Sequence, residues 1–193
     1  MLQVVLRRRT NAVKSGGVPS NQIWYDAPSK VTLYSETDVI SHTFRNGRGI
    51  ITFNNDITEV KDWLRETQIT NVYLPKGITK IGNNAFFECF KLALTSLPSG
   101  VTYIGDHSFT DCEKLALTSL PSGVTYIGSA AFFRCVGING LTIPIETPPT
   151  LKAYTVVFDG TYFAIFVPAK SVNTYKNATG WKEYPSRIWP IPK

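Results

Sequence analysis

The chain has 193 residues, 43% hydrophobic and 18% charged, values ordinary for a globular protein and unlike those of a disordered one. That length holds one good core, or one core with a small appended module. The net charge of +6 lies at the two ends: residues 1–20 carry Arg7, Arg8, Arg9 and Lys14 with no acid, and residues 147–193 carry six basic against two acidic side chains. The body between is close to neutral, so a contiguous basic surface for nucleic acid is not expected. No run approaches the roughly 20 apolar residues that span a bilayer.

Residues 1–20 read as a basic arm and linker. Leu2, Val4 and Leu6 alternate as in a strand, three arginines follow, and Ser15-Gly16-Gly17-Val18-Pro19-Ser20 has the composition of a flexible linker. Two readings stand side by side: a solvated tail, or an anchoring arm (Leu2, Val4, Leu6, Arg7, Arg8, Arg9) that adds a strand to a partner. The short apolar run precedes the arginines, the reverse of a secretory signal. The expectation is a virion-associated or cytoplasmic protein, or a cell-surface one exported by another route.

Residues 21–56 read as a β-rich cap, with strands expected at 23–25, 30–34, 41–44 and 49–53. Arg45-Asn46-Gly47-Arg48 is a hairpin-turn signal. Asp62-Trp63-Leu64-Arg65 reads as a helical turn whose Trp63 closes one end of a core column.

Residues 57–146 are repetitive. Residues 91–105 and 114–128 are the same fifteen-residue string, KLALTSLPSGVTYIG, offset by 23. Extending that period gives units at 78–100, 101–123 and 124–146, with a weaker one before them. Ile81/Ile104/Ile127, Gly82/Gly105/Gly128, Phe86/Phe109/Phe132 and Cys89/Cys112/Cys135 fall in columns. Each unit has a β-prone stretch (72–74, 95–97, 118–120, 141–143) that ends at Pro75, Pro98, Pro121 or Pro144, because proline donates no ladder hydrogen bond. The Ile-Gly-x-x-Ala/Ser-Phe segment is too brief for an isolated helix and reads as one helical turn. No unit has a core of its own, so stacking must supply it.

These columns resemble the BspA-like leucine-rich repeats, whose pattern runs Leu-Thr-x-hydrophobic-x-Ile-Pro, then Ile-Gly-x-x-Ala-Phe-x-x-Cys-x-x-Leu. The match is close over 69–146. Residues 49–60 resemble the entry segment of such proteins and residues 148–188 their exit. The resemblance implies an α+β repeat fold: a short leucine-rich-repeat solenoid with a parallel strand ladder and short helical turns. A β-rich N-terminal cap and a small helical C-terminal cap would close it. It also implies a binding or adhesion role.

Residues 147–193 read as a degenerate repeat and cap. Ser171 is the expected N-cap of a short helix to about Lys176, and Trp181, Tyr184 and Trp189 offer aromatic bulk to close the core.

No constellation for catalysis emerges. The cysteine spacing is the repeat period, so it carries no metal-ligand signal, and the thiols read as small buried hydrophobes. His42 and His107 lack triad partners, His107 falls in a variable column facing solvent, and Asp111 and Glu113 pair in one coil alone. No cofactor or metal site is expected, and the protein is read as non-enzymatic.

Alternation along the β-prone stretches assigns the binding face instead. With residues 72/74, 95/97, 118/120 and 141/143 inward, Tyr73, Ser96, Ser119 and Thr142 face out. Asn71, Leu94, Leu117 and Gly140 form the adjacent row, with His107 on a turn. A shift of register by one would bury the two leucines instead. Two functions follow as expectations: a protein-binding or adhesion protein whose partner is another protein or a glycan-bearing surface, or a bacteriophage virion component (fibre, decoration or attachment protein) docked through its arm onto a virion protein or onto further copies of itself.

Overall fold

The computed structural model describes residues 17–152 and 156–193. The anchoring-arm residues Leu2, Val4, Leu6, Arg7, Arg8 and Arg9 lie outside them.

Three strands precede the repeats: β1 (Gln22–Asp26), β2 (Val39–Arg45) and β3 (Arg48–Phe53). β2 and β3 form the expected hairpin, closed by Asn46 and Gly47 with φ of 53° and 81°. Two successive left-handed residues match the twist of antiparallel strands, which is why Asn-Gly serves there. Residues 30–34, expected as a strand, run without regular structure, although Leu33 is buried. The short strands β4 (Glu59–Val60), β5 (Asn71–Tyr73), β6 (Lys80–Ile81), β7 (Tyr103–Ile104), β8 (Tyr126–Ile127), β9 (Gly140–Thr142), β10 (Thr150–Leu151), β11 (Ala164–Val167) and β12 (Ile188–Pro190) follow.

Among the described residues these strands form three sheets. One is β2-β3-β1-β5, in which β5 from the repeat region pairs antiparallel with β1. The second is a parallel ladder, β4-β6-β7-β8-β10, and the third is the parallel set β9-β11-β12. The longest parallel ladder thus runs through the Tyr-Ile pairs of the repeat, where the sequence suggested the start of a helical turn. Glu59, Lys80, Tyr103, Tyr126 and Thr150 point outward from it, and Val60, Ile81, Ile104, Ile127 and Leu151 inward.

After each Ile-Gly the chain makes successive turns rather than a helix. Asn84, Glu88, His107, Asp111, Ala130 and Arg134 all have positive φ, which interrupts any α-helical run. Their amides bond the neighbouring coil instead: Asn84 N to Asp106 O, Glu88 N to Thr110 O, His107 N to Ser129 O. Gly128 has no room for a Cβ, which would meet the backbone nitrogen of Asp106 one coil earlier. The side chains stacked inside are one ring per coil. Phe86, Phe109, Phe132 and Phe158 lie 5.4, 5.5 and 5.8 Å apart, nearly parallel.

The stack is closed at both ends. Trp63 sits in a single 3₁₀ turn (Asp62–Leu64), fully buried against Phe53 at 4.4 Å. At the other end Trp181 and Tyr184 pack on Phe158, and the Trp181 indole donates to Pro149 O. Helix α1 (Val172–Asn177) forms where expected, but the Ser171 side chain makes no capping bond. Trp189 departs from expectation: it is 54% exposed on β12 and closes nothing. One continuous core runs from Ile23 to Ile188.

Candidate binding surface

The β-prone stretches before each proline carry the side chains expected to bind. They do not form the even four-strand ladder that alternation suggested. β5 and β9 are strands, while residues 95–97 are not, and residues 118–120 touch β9 only through a bridge between Ser119 and Thr142.

Leu94 and Leu117, placed in the outward row by alternation, are instead core residues at 7% and 1% exposure. Thr95 and Thr118, expected inward, are exposed. The inward residues are Leu94 and Leu97, then Leu117 and Leu120. Their spacing of three belongs to a bending coil, and a flat strand would bury every second residue. Burying both leucines of each coil removes more apolar area from water than burying Thr with Leu. Tyr73, Ser119, Thr142 and Asn71 are half-buried, and Ser96 is exposed, so these do face outward.

The row continues beyond the repeats. Thr142 pairs in register with Phe166 of β11, and Phe166 with Trp189 of β12. The ring of Phe166 lies beside Gly140, where a Cβ would approach it to 3.1 Å. The outward row therefore reads Tyr73, Ser96, Ser119, Thr142, Phe166, Trp189, with small hydroxyls at the centre and aromatics at the ends. Alternation along residues 164–167 and 188–190 could have found the last two, but the degenerate repeat there hid its register.

Tyr73 is held in place. Its hydroxyl donates to Asp26 at 2.8 Å, and Arg48 donates to the same carboxylate while its guanidinium lies 4.5 Å from the ring. Burial and the Asp26 bond raise the phenol pKa above its ordinary value. At the far end Lys176 approaches the Trp189 ring to 5.9 Å.

The turn residues do a different job. Asn83 Oδ1 accepts the Asp106 amide, and Asp106 Oδ1 accepts the Ser129 amide, each at 2.8 Å and 23 residues apart. Burial raises the Asp106 carboxyl, but its bonds with Lys152 and Ser129 outweigh this and leave its pKa below the usual value. These side chains knit one coil to the next. His107 is exposed at positive φ, with Nδ1 3.4 Å from Thr110 Oγ1. His42 lies in the cap, its Nε2 2.8 Å from the Tyr25 hydroxyl.

A family model for the BspA-type leucine-rich repeat region matches residues 37–155 in six copies. The chain belongs to that family. The match reaches upstream of the units legible by period, into the hairpin β2-β3. A comparison with curated proteins found no match. As a leucine-rich-repeat protein the chain falls in a class that points to protein–protein binding in general. Among the described residues no helix is long and apolar enough to cross a membrane.

Proposed function

We propose that this leucine-rich-repeat protein is an adhesion-type module. It binds another protein across the outward row from Tyr73 to Trp189, carried on a short solenoid. The observation that carries the reading is the register of Thr142, Phe166 and Trp189, which joins the hydroxyl row to an exposed indole. Exposed Trp and fixed Tyr are the side chains that anchor protein interfaces, because they bury much apolar area with few rotamers to freeze. The paired positions Thr142, Phe166 and Trp189, at about 4.8 Å from strand to strand, give this end of the row a continuous face of roughly 10 Å. Lys176 beside Trp189 and the Asp26–Arg48 pair beside Tyr73 supply a polar rim.

Quantitative affinity capture tests this with matched variants. Trp189→Ala and Thr142→Arg should each reduce capture of the same partner about tenfold or more, the range of an interface anchor. Thr125→Arg, an exposed site just before β8 of the other ladder, should leave it unchanged. Capture unaffected by the row variants overturns the assignment. So does capture that survives proteolysis of the target surface, since a protein partner would be destroyed.

A further inference from the structure

Between β5 and the next coil the parallel hydrogen bonding opens. Ala93 N bonds Thr70 O at 2.9 Å, and Leu94 O accepts Ala116 N at 3.0 Å. Among the described residues no backbone hydrogen bond then joins residues 95–97 to β5. The opening is a groove of about 420 Å³, in the size range of ligand pockets. Its floor is apolar, from Val72, Leu94 and Leu97. Tyr73, fixed by Asp26, lines it from β5, and Thr95 and Ser96 line it from the next coil. A groove with an apolar floor and unpaired amides along one side suits an extended peptide with apolar side chains at every second position.

The chain supplies such a peptide at the right place. Gly17 and Val18 sit on the rim of the groove, and Gly17 adopts φ of +74°, which turns the chain there. Sixteen residues of this sequence precede Gly17, and residues 2–6 read Leu-Gln-Val-Val-Leu. Residues 7–16, if extended, reach about 33 Å, roughly twice the length of a groove four or five residues long. A tethered segment on such a link has an effective concentration on the order of millimolar, so even a weak contact is populated.

We propose that this groove is the docking site for residues 2–6 of the same chain. Leu2, Val4 and Leu6 fill the apolar floor, and the backbone carbonyls between them accept the amides of residues 95–97. The docked segment covers the Tyr73–Ser96 end of the outward row and leaves the Trp189 end open. A partner that reaches the Tyr73 end of the proposed row must therefore displace the segment.

Amide hydrogen exchange of the full chain tests it. Thr95 and Ser96 are exposed, so an empty groove leaves their amides exchanging at unprotected rates. The expected result is protection of residues 95–97 by about tenfold or more, unchanged on hundredfold dilution, and lost in the full-length variant carrying Leu2→Lys, Val4→Lys and Leu6→Lys. Amides of the Phe109 and Phe132 turns report in the same data that the variant is folded. Unprotected amides in the purified protein overturn the proposal, and so does protection that survives the triple variant. Protection that falls on dilution overturns it in favour of a second copy as occupant.

Discussion

The thiol of Cys112 donates to the backbone carbonyl of Phe86 at 3.0 Å, 26 residues back along the chain. Cys135 does the same to Phe109 O, and Cys89 to Leu64 O. The cysteine column is therefore a ladder of buried donors: the Phe86 and Phe109 carbonyls each accept a thiol from the next coil besides the amide of Cys89 or Cys112. Burial pushes the Cys89 thiol up to about 11 and the Cys112 thiol well above its ordinary value, so both stay protonated at neutral pH.

Cys112→Ala should destabilise the fold by about 1–2 kcal/mol, because it removes a buried hydrogen bond and leaves a small cavity, while Phe86 O keeps the Cys89 amide. Cys112→Ser keeps a donor and should lose less. Urea unfolding with a shared m-value measures both, and equal losses would argue against the hydrogen bond. In the native state thiol reagents should react only as fast as the coil opens.

Ser108 occupies the column of Ala85 and Ala131, is fully buried, and its hydroxyl has no hydrogen-bond partner among the described residues. A hydroxyl taken from water without a partner is costly, so Ser108→Ala should raise stability by about 1 kcal/mol. Thermal or urea unfolding reads this directly. A loss of stability would mean that the hydroxyl finds a partner.

His42 gives the fold an acid sensitivity. Burial first, and Lys30 second, depress the imidazole pKa below its ordinary value of 6.5, while Glu36 opposes. The unfolded chain then binds the proton more readily than the folded one. The contribution is complete above pH 6.5 and is lost as pH falls below it, toward the depressed folded value. His42→Gln can keep a bond to Tyr25 without titrating, so its stability should fall less steeply than wild type as pH drops below 6.5. Parallel slopes in the two proteins would assign the acid sensitivity elsewhere.

The period of 23, the proline stops and the inward Ile, Phe and Cys columns were legible because stacked coils force the same side chain to the same depth. Trp63 at one end and Trp181 with Tyr184 at the other were legible for the same reason: an open stack needs bulk to close it. The hairpin turn was legible because Asn-Gly is a local backbone requirement.

What alternation could not reveal was where the chain is straight. Leu94 and Leu97 are both inward because the coil bends between them, and that bend depends on the neighbouring coils rather than on local sequence. The Tyr-Ile pairs became the longest ladder because the turns after each glycine bond coil to coil instead of closing a helix. Trp189 faces outward because β11 sets the register of β12. Repetition in the sequence thus determined which residues share a column. Only the contacts between coils decided which columns form strands, and which face of each remains for a partner, since inter-coil hydrogen bonds set the bends and the bends set the faces.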